Sequence, residues 1–141
     1  MTFLLDTNVV SELRKIRMGQ ADKNVAIWAD GVETAALYLS VITVQELETG
    51  VLLHERRDPS QGAILRIWLE DHVLPAFAGR ILPVDTAVAR RSADIHVQNP
   101  GYFRDSLIAA TALVHKMTLV TRNVADFQAS GVPLVNPWAL R

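Results

Sequence analysis

The sequence contains no cysteine among its 141 residues. This absence excludes a disulfide framework, a cysteine-ligated zinc site, an iron–sulfur cluster and a thiol nucleophile. The four histidines are widely spaced and form no HxxxH pair, so a histidine zinc site is not expected either. A chain without cysteine suits a reducing compartment, and we expect a cytoplasmic protein.

The chain also lacks an excess of charge of one sign and a long apolar run. Fourteen Lys and Arg residues against fifteen Asp and Glu residues give a net charge of −1. A nucleic-acid partner would therefore bind a local basic patch and not a global positive field. The longest uncharged stretch, 127–140, falls short of the ~20 apolar residues that span a bilayer, and residues 1–10 lack the basic start of a signal peptide. We expect no membrane association.

Three nucleotide-binding or catalytic signatures are missing as well. The sequence has no GxGxxG, no GxxxxGK[ST] and no GxSxG. These absences argue against a dinucleotide-binding fingerprint, a P-loop and a serine nucleophile elbow. The chemistry must come from other residues.

Short apolar runs alternate along the chain with longer segments of helical periodicity. No repeat or linker interrupts this pattern, so we expect a single domain over residues 1–141. The alternation predicts an α/β fold with a mostly parallel sheet of about five strands. The predicted strands are 3–5, 36–39, 80–84, 117–120 and 133–135, and the predicted helices are 7–15, 24–30, 43–57, 61–77, 86–97, 105–115 and 125–129.

Acidic residues stand close to the ends of these predicted strands. Asp6 and Asp85 directly follow the first and third strands, Glu46 lies one helical turn past the second, and Asp105 opens the helix before the fourth. Each has an ordinary structural interpretation. Asp6, Asp85 and Asp105 could cap helices, and Thr43 with Glu46 matches a capping box. We assign only Asp85 to a purely structural role.

Taken together, the other acids favour a metal site. Ligands beyond the carboxyl ends of parallel strands share one cleft, where several carboxylates repel one another unless a cation or a proton compensates. Oxygen-only ligand sets suit Mg²⁺ or Mn²⁺. Such an ion can activate a water molecule for attack on a phosphodiester. The sequence thus predicts hydrolysis of a phosphate ester.

Six motifs in order resemble those of PIN-domain proteins, in particular VapC-type toxins of toxin–antitoxin pairs and their FitB-like relatives. They cover nearly the whole chain: LLDTNVVSE at 4–12, YLSVITVQEL at 38–47, FAGRILP at 77–83, RDSLIAATA at 104–112, LVTRNVADF at 119–127 and VNPW at 135–138. The resemblance implies a three-layer α/β/α sandwich. It also implies an endoribonuclease that depends on Mg²⁺ or Mn²⁺.

Site residues follow from the same resemblance. It makes Asp6, Glu46 and Asp105 the catalytic triad of acids, with Asp6 and Asp105 as metal ligands and Glu46 holding the metal or orienting the attacking water. Supporting roles fall to residues that orient these acids or complete the site: Thr7, Asn8, Thr121, Asn123 and Asp126. Many PIN domains have a fourth acid where this chain has Asn123. Asp126 either supplies that charge or caps the last helix.

The implied partners are an RNA substrate, a VapB-like antitoxin, a second copy of the chain in a homodimer, and promoter DNA reached only through the antitoxin complex. We expect Arg14, Arg104 or Arg122 to contact phosphates. Apolar residues on the third and fourth helices suit either a partner or the core: Leu52, Leu53, Ile67 and Trp68. The alternative function is a catalytically weak PIN-domain protein that regulates DNA together with its antitoxin.

Overall fold

A computed structural model describes residues 1–139 and contains one five-stranded sheet in which every pairing is parallel. The strand order is β3-β2-β1-β4-β5, with β1 in the centre. The strands are β1 (Phe3–Leu5), β2 (Leu37–Ser40), β3 (Ile81–Leu82), β4 (Thr118–Val120) and β5 (Leu134–Val135). The predicted parallel α/β fold is confirmed.

Helices connect the strands and cover the sheet. They are α1 (Thr7–Arg14), α2 (Lys23–Asp30), α3 (Val41–Arg57), α4 (Pro59–Ile67), α5 (Leu74–Ala76), α6 (Thr86–Gln98) and α7 (Phe103–Val114). Short 3₁₀ turns lie at Ile16–Met18, Thr34–Ala36, Val124–Asp126 and Gln128–Ser130. Within residues 1–139, no helix combines the length and the apolar character needed to cross a membrane.

The sheet separates two apolar cores, which makes the architecture a three-layer sandwich. Successive side chains of a strand point to opposite faces. On β1, Leu5 accordingly packs with α1, α3 and α4, whereas Leu4 packs with α7. On β4, Val120 belongs to the first core and Leu119 to the second. Both faces are buried, which explains why these strands are continuous apolar runs.

Two predicted helices differ from the structure. The predicted helix 61–77 is α4 followed by a π-helical segment, Trp68–Val73, and the short α5. Pro75 has no amide hydrogen and so cannot make the α-helical bond to residue 71, which accounts for the irregular geometry before it. The predicted helix 125–129 is instead a pair of 3₁₀ turns.

A glycine allows α3 and α4 to pack closely. A Cβ atom on Gly62 would lie 2.5 Å from the Cα of Glu55, where no side-chain rotation could relieve the overlap. Arg66, one turn further along α4, bonds the Glu55 carboxylate through both Nε and an Nη atom at 3.3 and 3.0 Å. The two helices therefore form a firmly joined pair on one face of the sheet.

The strand order sets the position of the cleft. From the central β1, the chain proceeds to β2 and β3 on one side and later to β4 and β5 on the other. Connections therefore leave β1 and β4 in opposite directions, and a crevice opens between their carboxyl ends. Asp6 directly follows β1 and Thr121 directly follows β4, so both stand at this crevice.

Candidate active site

Asp6 is buried at the carboxyl end of β1, with only 7% of its surface exposed. Its backbone N–H donates to the carbonyl of Val120 at 2.9 Å, which ties the residue to β4. Its carboxylate accepts hydrogen bonds from the Thr7 backbone N–H at 2.8 Å and the Thr121 hydroxyl at 2.8 Å, with Asn8 Nδ2 further away at 3.4 Å. These donors hold the carboxylate in one orientation.

Thr121 joins the ends of the two central strands. Besides donating to Asp6, its buried hydroxyl accepts the backbone N–H of Asn123 at 3.0 Å. The Asn8 side-chain oxygen accepts the backbone N–H of Arg122 at 3.3 Å. The structure thus brings three of the predicted supporting residues, Thr7, Asn8 and Thr121, into direct contact with Asp6.

Glu46 comes to the same crevice from α3. The Thr7 hydroxyl donates to Glu46 Oε1 at 2.5 Å, so Thr7 links two of the predicted acids through its backbone and its side chain. The capping-box interpretation of Glu46 is wrong. Helix α3 begins at Val41 and is capped by Ser40, whose hydroxyl accepts the Ile42 N–H at 3.0 Å, while Thr43 is fully buried inside the helix.

Asp105 lies in the first turn of α7. The helix begins at Phe103, with Tyr102 at the N-cap, so Asp105 is inside the helix and the capping interpretation is wrong here as well. The neighbouring Arg104 approaches Glu46, with 3.8 Å between Nε and Oε2. Asp85, by contrast, caps α6 as expected and accepts the Val88 N–H at 2.9 Å.

Burial and mutual repulsion raise the pKa of two of these acids. The pKa of Asp105 rises to about 6, first because of desolvation and then because of the charges of Asp6, Asp126 and Glu46, against a lowering by Arg104. Burial also raises the pKa of Asp6, an effect opposed by its bonds to Thr121 and Thr7 and reinforced by the charges of Glu46 and Asp126. Three carboxylates therefore raise the pKa of Asp105, and two raise the pKa of Asp6.

A family model described as the PIN domain matches residues 3–129. The chain belongs to the PIN-domain family.

Among its relatives, the VapC ribonuclease Y4jK of Sinorhizobium fredii is 40% identical over 140 residues, covering 96% of both chains. Toxin FitB of Neisseria gonorrhoeae is 41% identical over 141 residues, covering 96% of this chain and 97% of the relative. This PIN domain is therefore related to VapC ribonucleases and FitB toxins.

Solved structures support the relationship. The FitAcB crystal structure from Neisseria gonorrhoeae matches with a TM-score of 0.88 and 40% identity, over 99% of this chain and all of that chain. A structure of FitAB bound to an IR36 DNA fragment matches with a TM-score of 0.88 and 39% identity, over 99% of this chain and 98% of that chain. The expected PIN-like sandwich is confirmed.

The donor set of this PIN domain suits a hard divalent cation. Two partly desolvated carboxylates with raised pKa values lower their repulsion when a cation lies between them. No group of three His, Asp or Glu side chains in residues 1–139 is arranged to enclose an ion unaided. Mg²⁺ commonly keeps several waters and takes only one or two carboxylates from the protein, so Asp6 and Asp105 fit it.

The two residues considered for the fourth acidic position have different surroundings. Asn123 is exposed, and its backbone N–H bonds to Thr121. Asp126 ends the 3₁₀ turn Val124–Asp126, and its negative charge reaches both Asp6 and Asp105. The described residues show no helix that Asp126 caps, since its segment is a 3₁₀ turn whose N-cap is Asn123.

The motifs in the sequence gave no role to the aromatic residues that precede Asp105. Tyr102 and Phe103 are exposed, at 78% and 68%, immediately before the acidic turn of α7. The sequence offered one signal, two adjacent aromatic residues directly after the turn-forming residues Asn99-Pro100-Gly101.

Proposed function

We propose that this PIN domain is a metal-dependent endoribonuclease toxin of a type II toxin–antitoxin system, acting in the cytoplasm and inhibited by a VapB-like antitoxin. The observation that carries the proposal is the meeting of Asp6, Glu46 and Asp105 at the crevice between β1 and β4. Besides burial, the charge of Glu46 raises the pKa of both Asp6 and Asp105, and the charge of Asp6 raises the pKa of Asp105. Perturbed carboxylates in a strand-end cleft are a frequent property of catalytic sites.

Each acid has a distinct task in this proposal. Asp6 and Asp105 would hold Mg²⁺ or Mn²⁺, which polarises a phosphate oxygen and lowers the pKa of the attacking water. Glu46 would help to hold the metal or orient that water. Thr7 keeps Glu46 in place through its 2.5 Å bond, and Thr121 fixes the orientation of Asp6. Asp126 would supply negative charge that Asn123 cannot.

Basic side chains around the cleft support an RNA substrate. Arg104 lies beside Glu46. A cavity of about 320 Å³ is lined by Arg14 and Lys15 as well as by Thr7 and Glu46. These cations offset the acidic cleft locally although the whole chain is nearly neutral. Arg104 and Arg14 are the candidates for phosphate contacts. Arg122 instead has its guanidinium 5.2 Å from the ring centre of Trp138.

Exposed apolar side chains support protein partners. Leu52, Leu53 and Ile67 are about half exposed, so the alternative that they belong to the core is wrong. Trp68 is partly buried against the core. An antitoxin and a second copy of the chain are the partners that we propose for this surface. Large exposed apolar patches on small proteins commonly mark such contacts.

A second function deserves a test because one structural relative is a complex with DNA. In that alternative, this chain is catalytically weak and acts with its antitoxin on promoter DNA. The acidic cleft would then chiefly receive the antitoxin. The two functions differ in whether the partner-free protein cuts RNA.

The test is RNA cleavage by partner-free protein in Mg²⁺, in Mn²⁺ and in EDTA. Wild type should cut structured RNA only with a metal ion, and Asp6→Asn and Asp105→Asn should each reduce cleavage at least ~100-fold. Asp71→Asn is the matched control, because Asp71 is exposed outside the cleft. Folded wild type that cuts total cellular RNA no faster than the two variants would reject the nuclease and favour the DNA-regulatory complex.

A further inference from the structure

Tyr102 and Phe103 are the exposed aromatic side chains of the described structure. Every other Phe, Tyr and Trp within residues 1–139 is buried or partly buried. Both rings stand at the start of α7. Tyr102 precedes Asp105 by three residues and Phe103 precedes it by two. A ring that is exposed to solvent can bury apolar surface against a ligand without first breaking contacts with the protein.

The backbone around the two rings is ordered by a stacking contact. His96 on α6 stacks on Phe103, with ring centres 4.0 Å apart and planes inclined by 18°. This contact fixes the first turn of α7 against α6. Tyr102, the N-cap residue of that turn, is therefore presented from a fixed backbone while its own ring stays exposed.

A cavity of about 260 Å³ is lined by Tyr102 and by two of the acids, Asp105 and Asp126. Three segments contribute to its lining: the loop before α7 with Asn99 and Tyr102, α7 with Asp105 and Ala109, and the segment after β4 with Asp126 and Phe127. The cavity therefore adjoins Asp105, one of the two proposed metal ligands. It has apolar walls together with oxygen atoms that accept hydrogen bonds.

The charge of this cavity selects against a phosphate. Its lining in the described part of the chain contains the carboxylates of Asp105 and Asp126 and no Lys or Arg. Arg104, Arg14 and Lys15 lie instead around Glu46. A neutral planar ring that carries N–H donors satisfies both the apolar walls and the carboxylate acceptors, whereas a phosphate would be repelled.

We propose that Tyr102 and this cavity form a nucleobase subsite, in which the tyrosine ring stacks on a base of single-stranded RNA next to the scissile phosphate. Base–aromatic stacking tolerates any base because every base has a π-face. The phosphates of the same strand then run past the cations near Glu46. This inference rests on the proposed nuclease function and adds the position of one base.

The first experiment compares steady-state cleavage of a short single-stranded RNA by four proteins. Tyr102→Ala should raise KM about tenfold and change kcat less, because stacking holds the substrate in the ground state as well. Tyr102→Phe keeps the ring and should stay within about twofold of wild type. Ile27→Ala is the control, since Ile27 is 71% exposed and does not line the cavity. Thermal unfolding of each variant verifies that it is folded.

The second experiment removes the partner of the ring instead of the ring. RNAs carrying a single abasic residue at successive positions around the cut should include one position that costs wild type about tenfold in KM. At that position Tyr102→Ala should lose nothing further, because the two changes delete the same contact.

The outcomes separate the subsite from the nuclease itself. If folded wild type cuts no RNA, both the nuclease function and the subsite are rejected. If wild type cuts RNA but Tyr102→Ala has an unchanged KM, or Tyr102→Phe is as impaired as Tyr102→Ala, only the subsite is rejected. Additive losses in the abasic series also overturn it. A Tyr102→Ala protein with normal KM that escapes antitoxin inhibition assigns the ring to the protein partner.

Discussion

Replacing Asp105 by Asn should stabilise the metal-free protein while removing the proposed nuclease activity. The Asp105 pKa of about 6 lies about two pH units above its ordinary value of 3.8. Each unit corresponds to about 1.4 kcal/mol, which gives an upper bound of about 3 kcal/mol for the cost of ionising Asp105 in the fold at neutral pH. Because the side chain is partly exposed, solvent screening reduces the expected gain to about 1 kcal/mol.

The gain should depend on pH in a defined direction. From about pH 4 to about pH 6 the folded protein binds more protons than the unfolded chain, because the folded pKa is higher. The stability contributed by this residue therefore falls as pH rises through that range and is constant above it. Asp105→Asn should match wild type near pH 4 and exceed it by about 1 kcal/mol near pH 7.5, a rise in Tm of about 4 °C for a chain of this size.

Thermal unfolding in EDTA at both pH values measures this difference, with Asp71→Asn as the exposed control. Added Mg²⁺ should then raise the Tm of wild type more than that of Asp105→Asn, because a ligand stabilises the state that binds it. An Asp105→Asn protein no more stable than wild type at pH 7.5 in EDTA would refute the argument that repulsion and burial burden this carboxylate.

Other substitutions test the packing and the hydrogen bonds of the fold by denaturant unfolding. Gly62→Ala should lower the free energy of unfolding by about 1–3 kcal/mol, because its Cβ would overlap the backbone of α3. Gly50→Ala is the control and should not lower it, because a Cβ there meets nothing within 4 Å. Equal losses would contradict the close approach of α3 and α4. Thr121→Val should cost about 1–3 kcal/mol and raise the pKa of Asp6 further, because a hydroxyl donor to that carboxylate is lost, and Thr121→Ser should retain both properties. Ser40→Ala should cost about 1 kcal/mol by removing the α3 cap, and an unchanged stability would show that this cap contributes nothing.

The positions of the strands were predictable because a strand buried on both faces is a short, continuous apolar run. Apolar runs such as Phe3–Leu5 and Thr118–Val120 are bounded by polar residues, and both are strands in the structure. Helix starts were less predictable. Ser40 and Thr43 both precede an apolar helix and both can cap, and only tertiary burial of Thr43 decides between them.

Exposure of apolar helical residues was not predictable either. Leu52 and Leu53 follow the buried Val51 directly on α3 and are chemically equivalent to core residues. A helix that is buried on most sides and a helix with a second, exposed apolar face have similar sequence patterns when polar residues are few. The face of α3 that meets the sheet is decided by its contacts with α1, α4 and α7 in the folded chain. The sequence pattern of α3 alone does not contain this information.

The location of the acidic cleft follows from topology, whereas its protonation follows from packing. A polar residue after each strand is visible in the sequence, and the β3-β2-β1-β4-β5 order makes the β1–β4 crevice the place where Asp6 and Thr121 must meet. Glu46 and Asp105 enter from helices, so their distance to Asp6 depends on where α3 and α7 begin. Both helices start two residues earlier than their sequences suggested, so Asp105 lies inside the first turn of α7, Glu46 lies in the second turn of α3, and neither side chain caps its helix. The charge of Glu46 then adds to the charge of Asp6 in raising the pKa of Asp105.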